Sequence, residues 1–366
     1  MLLEHLALAS FRNYTSLEWT PAAGLNFLVG ANAQGKSNLL EAIAMLATGK
    51  SFRTSREIEV IHTDAVLASV SGIARVESGT LNLACSIAAS AGSTRKTYTI
   101  NGEGVRYARF LGSLKVVTFV PADVGLVAGP PAQRRAMINE ALSLADRRYY
   151  HDLVRYRKAV LQKGALLRSS GSAPDRELLA IYDATMVDSG TQLMLARRHY
   201  VAAVGDAASS IYGHWIAGER FEVHYASNVA YEAPTEASIA SEFERALAEQ
   251  RTVEAARKRC LVGPHRDDLE LRLNGAPLAR YGSQGQQRTA VLALKLAEYA
   301  VLRDRSGEAP VLLLDDVLSE LDAERAEAFL RELHGIEQAF VTATHMQRLA
   351  GQTASWRVDA ATVTRC

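Results

Sequence analysis

Gly30-Ala31-Asn32-Ala33-Gln34-Gly35-Lys36-Ser37 has the spacing G-x-x-x-x-G-K-S. An apolar, strand-like run, Leu25-Asn26-Phe27-Leu28-Val29, leads into it, and Asn38-Leu39-Leu40-Glu41-Ala42-Ile43-Ala44-Met45-Leu46 leads out in helical register. This order is a phosphate-binding loop. Gly30 and Gly35 let the main chain wrap closely round a polyphosphate, and the helix opening near Lys36 aims its N-terminal dipole at the same charge. Lys36 is expected to reach the β- and γ-phosphates, and the Ser37 hydroxyl to ligate Mg²⁺. An ordinary glycine-bearing turn is the plainer alternative. At average composition a chance match in a chain of this length is roughly a one-in-a-hundred event, and the strand–loop–helix context lowers it further.

Val311-Leu312-Leu313-Leu314-Asp315-Asp316 supplies what that loop lacks. Four apolar residues ending in two carboxylates read as a buried parallel strand that delivers its acids at the carboxyl edge of a sheet. Asp315 is then the Mg²⁺ ligand, and Asp316 the group that orients an attacking water. The run is too apolar for a half-exposed strand carrying two solvated aspartates.

The acids arrive late, and a third element precedes them: Tyr281-Gly282-Ser283-Gln284-Gly285-Gln286-Gln287-Arg288. Ser283 reads as an N-cap, with a strong helix former from Thr289 to Glu298 behind it. A serine and an exposed glycine backbone at a helix N-terminus form an anion site. Because the first loop already serves this copy's phosphates, Ser283, Gly285 and Gln286 are expected to close over nucleotide held by a second copy. Ala339-Phe340-Val341-Thr342-Ala343-Thr344-His345 reads as a further strand, one βαβ crossover on, that ends in a γ-phosphate-sensing His345.

Phosphate loop, S-x-G-Q, apolar strand with paired acids, Ser319-Glu320-Leu321-Asp322 and then histidine is the order of an ABC-type ATPase head. Phe11-Arg12-Asn13-Tyr14, Gly263-Pro264-His265-Arg266-Asp267-Asp268-Leu269 and Gly282-Ser283-Gln284-Gly285-Gln286-Gln287-Arg288-Thr289 resemble the RecF family of bacterial DNA repair proteins more specifically. The resemblance runs from the N-terminus to about residue 345. It implies an ATP- and Mg²⁺-dependent homodimer that binds DNA, double-stranded and at single-strand/double-strand junctions. It also implies RecR (with RecO) as partner, and loading of RecA in gap repair and SOS induction. By the same resemblance Arg12 and Asn13 touch the nucleotide.

Two departures from the wider ABC pattern stand out. Gln284 takes the place of the first of two adjacent glycines, and Asp316 stands where the catalytic acid is usually glutamate. Drawing a carboxylate back by one methylene weakens its hold on water, so slow hydrolysis is expected. The region matching a glutamine-bearing loop, Thr118-Phe119-Val120-Pro121-Ala122-Asp123, has no glutamine.

The 366 residues, 48% hydrophobic with mean hydropathy near zero, describe an ordinary globular chain. Cys85, Cys260 and Cys366 have no CxxC spacing and make no even disulfide framework, which suits a reducing cytoplasm. Glu4, Ser10, Arg12 and Asn13 interrupt any signal-peptide core, and no apolar run approaches the roughly 20 residues of a membrane span. The net charge of +1 is unevenly spread. Residues 134 to 168 hold nine basic side chains (Arg134, Arg135, Arg147, Arg148, Arg155, Arg157, Lys158, Lys163 and Arg168) against three acids. That concentration is the footprint expected of phosphate contacts, with a merely solvated basic helix face as the alternative. Tyr149, Leu153, Tyr156, Val160 and Leu167 follow helical steps, so the tyrosines read as packing groups.

The fold class is therefore α/β: an ABC-type P-loop ATPase head of mixed sheets and flanking helices, with an inserted α-helical arm. Residues 1–125 read as β-rich head, 126–258 as helical arm, and 259–366 as the returning head. Strands are expected near Leu2–Leu8, Val66–Val76, Leu81–Ala89 and Tyr98–Ile100, with a turn at Asn101-Gly102. Helical breaks are expected at 169–174 and around Tyr225–Pro234, and a hairpin round Asn274-Gly275. His265-Arg266-Asp267 looks like a kinase catalytic loop. Position 272 is Arg272 rather than the required asparagine, so that reading fails and the segment is expected to bridge head and arm. An ATP-gated DNA-binding loader is favoured over a transport-type ATPase subunit, because basic helices are inserted and no glutamine loop is found.

Overall fold

A computed structural model describes residues 1–90, 93–169, 175–318, 323–344 and 353–366. They divide into two units, Met1–Asp123 with Lys295–Cys366, and Val124–Leu294. The first unit runs through β1 (Leu2–Phe11), β2 (Tyr14–Trp19), β3 (Gly24–Val29) and α1 (Lys36–Thr48). It continues with β4 (Leu67–Val76), β5 (Gly79–Ser90), β6 (Ser93–Ile100), β7 (Glu103–Val105), α2 (Tyr107–Phe110) and β8 (Val116–Phe119). The second unit contains α3 (Gly125–Ala128), α4 (Pro131–Ala145), α5 (Arg147–Ser169), α6 (Arg176–Trp215) and β9 (Phe221–Ala226). After these come α7 (Glu236–Arg257), β10 (Asp268–Leu273), β11 (Ala276–Pro277), α8 (Leu278–Tyr281) and α9 (Gln284–Ser306), which belongs to this unit as far as Leu294. The chain then returns to the first unit for β12 (Val311–Leu314), α10 (Ala323–Glu332), β13 (Gln338–Ala343), β14 (Thr353–Asp359) and β15 (Thr362–Arg365).

Two six-stranded sheets build the first unit. One, in the order β2-β1-β4-β5-β6-β7, is antiparallel throughout. The other, β15-β14-β3-β13-β12-β8, is parallel except where β15 turns back on β14. Every residue of β12 and β13 is buried, as expected of parallel strands covered on both faces. α1 is buried almost all round, and one apolar cluster joins its Leu39, Ile43 and Leu46 to Leu3 and Leu6 of β1 and to Leu313 and Phe340 of the parallel sheet. The same helix carries a carboxylate, Glu41, with no exposure. Arg12 meets it with two nitrogens, at 2.9 and 2.5 Å, and Arg53 lies 3.5 Å away. A buried charge without such partners would be costly.

The second unit has a three-stranded antiparallel sheet, β11-β10-β9, beside its helices. Asn274 and Gly275 turn the β10–β11 hairpin with positive φ, as Asn101 and Gly102 do between β6 and β7. Two expectations fail here. The stretch read as helical contains a strand, β9, and β10 pairs with it from Asp268↔Ala226 to Leu273↔Phe221. That long-range pairing keeps residues 259–294 with the inserted unit, so the return to the first unit falls at Lys295 rather than at residue 259. The break expected at 169–174 lies, beyond Ser169, outside the described residues.

His265-Arg266-Asp267-Asp268, expected to bridge head and arm, forms its side-chain hydrogen bonds within the second unit among the described residues. Asp267, 1% exposed, accepts from Arg197 Nη1 at 3.0 Å, from Asn228 N at 2.8 Å and from the Tyr225 hydroxyl, all inside the second unit. Arg197 also donates to Tyr149 Oη, Asn139 Oδ1 and the Pro264 carbonyl. Asp268 takes Arg134 through two nitrogens, and His265 Nδ1 lies 2.6 Å from Tyr156 Oη. Tyr149 and Tyr156 are buried, 3% and 2% exposed, as the helical spacing requires.

Burial, against the opposing pull of the Cys260 carbonyl, pushes His265 down from 6.5 to about 4. The folded chain therefore keeps this ring neutral where the unfolded chain protonates it. Its stability contribution is whole above pH 6.5, declines as pH falls towards 4, and is lost below that. We expect His265→Gln to flatten the fall in melting temperature across that window by a few degrees; calorimetry of both proteins over that range is the check, and parallel curves would remove His265 as the source.

Candidate nucleotide site

The phosphate-binding loop leaves β3 and enters α1 through backbone that only certain residues tolerate. Gly35 caps α1 at φ +113°, and a Cβ there would lie 2.8 Å from both Asn13 Nδ2 and Tyr14 Oη. At Gly30 a Cβ would lie 2.2 Å from the Val358 carbonyl oxygen. The loop is braced from two sides. Asn13 Nδ2 donates to the Gln34 carbonyl (3.2 Å) and Tyr14 Oη to that of Gly35 (3.2 Å), while the Ala360 amide donates to Gln34 Oε1 (2.7 Å). The β1–β2 turn and the β14–β15 turn thus hold the loop's shape.

Lys36 Nζ donates to the carbonyls of Gly30 and Ala31, at 2.6 and 2.8 Å. Burial pushes its pKa down, opposed by Asp316 and Asp315. Ser37 Oγ donates to Asp315 Oδ1 at 2.7 Å, and Thr342 Oγ1 donates to the same oxygen at 2.9 Å. The Thr342 hydroxyl in turn accepts from the Asp316 amide at 2.7 Å. Asp315, at the end of β12, is buried, whereas Asp316 turns outward at φ +51°.

These groups line a cavity of about 460 Å³ together with Asn32, Ala33, Asn38, Arg53 and Thr344. The donor set is hydroxyl and carboxylate oxygen on one side and an ammonium with main-chain loop on the other. Oxygen ligands suit a hard divalent cation, and a main-chain loop with Gly35 at a helix N-terminus suits a polyphosphate. The residues present therefore fit a nucleoside triphosphate with a hard divalent cation, which residues 30–37, with Ser37 and Asp315, would hold.

Several expected site residues lie elsewhere or do other work. Arg12 does not line the cavity; its guanidinium is given to Glu41 and, at 2.6 Å, to the Glu59 carbonyl. Asn13 braces the loop from outside. His345 and Ser319–Asp322 lie outside the described residues. Ser283 sits exposed at the start of α9 in the second unit, where Ser283 Oγ accepts from Gln286 N (3.2 Å) and Gln286 Oε1 accepts from Ser283 N (2.9 Å). This is a reciprocal capping box. Gln286 Nε2 also donates to Glu219 Oε1 at 2.7 Å, and the Gly285 carbonyl accepts from Thr289 Oγ1.

Among the expected DNA-contacting residues, Arg134 is excluded. It is 8% exposed, with its nitrogens on Asp268 and on the carbonyls of Leu126 and Gly129. Arg135 is half-buried and donates to the Asp267 carbonyl. Lys163, counted in the same basic stretch, is buried 2.6 Å from both Asp183 and Glu254. Arg147, Arg148, Arg155, Arg157 and Lys158 stay exposed on α5, Arg155 within 2.9 Å of Asp188.

Sequence reading passed over Arg53, Asn38, Thr342 and Thr344 as cavity residues. Thr342 and Thr344 lie in the strand quoted for His345, and alternation there would have aimed both at one edge. Arg53 had a weaker signal. Gly49 ends α1 in a left-handed cap, and the chain runs back along the helix, so that Arg53 Nη1 reaches Asn38 Oδ1.

Comparison with known proteins agrees with this architecture. The profile described as RecF/RecN/SMC N terminal domain matches residues 2–363. The DNA replication and repair protein RecF of Symbiobacterium thermophilum is 41% identical over 98% of this chain and 95% of its own. That of Limosilactobacillus fermentum is 36% identical over 96% and 95%. A solved structure described as the recombination mediator protein RecF-ATP in the RecFOR pathway superposes with a TM-score of 0.90 at 31% identity, covering 100% of this chain and 97% of that one. An SMC head bound to the C-terminal winged-helix domain of ScpA, 16% identical with a TM-score of 0.57, shares the fold alone. The chain accordingly belongs to the RecF/RecN/SMC N-terminal domain family and, within it, to the RecF proteins of DNA replication and repair.

Proposed function

We propose that the chain is an ATP-gated recombination mediator: two copies close over ATP, together present a DNA-binding surface, and reopen on slow hydrolysis. The observation that carries this is the joint hold of Ser37 and Thr342 on one oxygen of Asp315, beside a lysine already drawn into the phosphate loop. When bound, magnesium and nucleotide supply the phosphoanhydride bond and the charge neutralisation its cleavage requires. Residues 30–37 grip the triphosphate through main-chain N–H groups, and Lys36 exchanges carbonyl partners for phosphate oxygens. Ser37 and Asp315 face the metal. Asp316, a methylene shorter than glutamate, orients the attacking water loosely, which suits a timing device. His345 is proposed to sense the γ-phosphate. The exposed tip of α9, with Ser283, Gly285 and Gln286, is proposed to cover the nucleotide of the other copy.

The related structure is described as RecF-ATP and as a recombination mediator in the RecFOR pathway. We extend to this chain the partners that the family implies: DNA at single-strand gaps, RecR with RecO, and RecA indirectly. DNA phosphates are assigned to Arg147, Arg148, Arg155, Arg157 and Lys158 on α5, without Arg134 and with Arg135 held back by its internal bond. Among the described residues no helix is long and apolar enough to cross a membrane.

Light scattering with and without ATP tests the switch. Lys36→Met should abolish ATP-dependent dimerisation, and Ser283→Arg should abolish it while leaving the monomer's nucleotide affinity intact. A Ser283→Arg protein that dimerises normally, or that loses only monomer affinity, would put Ser283 outside the composite site. Asp316→Asn should bind ATP and persist as a dimer at least tenfold longer; unaltered phosphate release would take Asp316 out of the chemistry. For DNA, the double change Arg147→Glu with Lys158→Glu should shrink the slope of log affinity against log salt by roughly two, and an unchanged slope would move the DNA surface off α5.

A further inference from the structure

Between α4 and α5, wholly inside the second unit, lies a cavity of about 400 Å³ that the nucleotide assignment does not use and that shares only Arg157 with the DNA assignment. We propose that it is a docking site for an acidic, apolar peptide segment of a partner protein. Its size is within the range of about 300–1,000 Å³ usual for ligand pockets.

Leu153 and Val160 on α5 make its floor apolar, and the exposed Ala132 and Ala136 on α4 continue that surface to the rim. At its lip Leu161 is 70% exposed, and two turns earlier on the same face of α5 Val154 is 45% exposed. Exposed apolar side chains next to an apolar hollow are a surface that gains from being covered.

Three guanidiniums line the same hollow, those of Arg135, Arg157 and Arg197, and no carboxylate does. Arg197 is matched by buried Asp267. Arg135 donates to the Asp267 main-chain carbonyl and feels the carboxylates of Asp268 and Asp267 without an ion pair among the described residues, and Arg157 has no ion-pair partner among them either. Burial and then the charge of Arg197 push Arg135 down, against the opposing pull of Asp268 and Asp267. The other titratable groups of the lining, Tyr156 and His265, are pushed by burial up and down respectively, so both are neutral near pH 7 and add no charge.

Each simpler occupant satisfies half of this. A nucleic-acid backbone would answer the guanidiniums and leave Leu161 and the floor wet. A second copy meeting the hollow face to face would set arginines against arginines, since an isologous contact pairs a patch with itself. A peptide carrying leucine-like side chains beside carboxylates satisfies both, with the acids at the rim and the apolar groups on the floor.

The test uses the full chain and fluorescein-labelled octapeptides followed by anisotropy. The probe alternates leucine and aspartate; one control has lysine for aspartate, the other serine for leucine. The probe should saturate in the micromolar range and both controls should bind at least tenfold more weakly. Leu161→Ser and Ala136→Glu, both at exposed positions, should each weaken the probe about tenfold while ATP-dependent dimerisation is retained. Equal binding of the serine control, equal binding to both variants, or no saturation by about 1 mM overturns the proposal. So does a result in which these variants alter only DNA affinity or only the mass in solution, which gives the hollow to nucleic acid or to a second copy.

Discussion

One carboxylate oxygen organises the nucleotide-binding half of this protein. Asp315 Oδ1 accepts from Ser37 at the start of α1 and from Thr342 on β13, and the carboxylate itself ends β12. Three elements distant in sequence are thereby brought to a common point at the carboxyl edge of the parallel sheet. Pairing adds to that: β12 lies beside β13, and β13 beside β3, which feeds the phosphate loop. A hydrogen bond to a charged partner contributes about 1.5–3 kcal/mol, and a buried carboxylate without its donors costs more. The hydroxyls at 37 and 342 therefore answer a structural demand as well as a chemical one. The amide of Asp316, held by the same Thr342 hydroxyl, sets the neighbouring acid's backbone in the left-handed conformation that turns it outward.

The second unit has a comparable centre in Asp267, but with a different purpose. Its partners come from α6, from β9 and from the loop at Asn228, and Arg197 extends the network to α4 and α5. Gly263 shows how tightly it is drawn. At φ +120°, a Cβ there would meet Tyr156 Oη at 2.4 Å and Phe243 at 2.5 Å. Polar groups this buried are satisfied together or destabilise together. A motif that looks catalytic by its residue types, His-Arg-Asp-Asp, is thus a packing device in which the charge of each acid is consumed internally.

Legibility in the sequence followed the range of the interactions. The phosphate loop, the paired acids, the Asn-Gly turns and the Ser283 cap are local patterns, and the structure forms each of these loops, turns and caps where the local chemistry demands. β9 was hidden because Phe221–Ala226 is short and flanked by long helices, and only its pairing with β10 makes it a strand. The same pairing moved the unit boundary, which no composition shift marks. Charge counting along residues 134–168 misled in part for a related reason. Arg134 and Lys163 face inward to Asp268, Asp183 and Glu254, acids that lie far off in sequence. Arg12 was placed at the nucleotide by resemblance alone, and its bond to Glu41, 29 residues away, is equally non-local.

The capping box at Ser283 bears on how a composite site could close cheaply. In many anion sites the ordering of a helix tip is charged against binding, since loose N–H groups must first be aligned. Here Ser283 and Gln286 already fix one another, and Gln286 is tied further to Glu219, before any second copy arrives. Gln284, in place of a more permissive glycine, costs little at a helix position and restricts the tip's alternatives. The Ser283 and Gln286 amides donate within the box, so an anion approaching this tip would have to compete with Gln286 Oε1 and Ser283 Oγ for them.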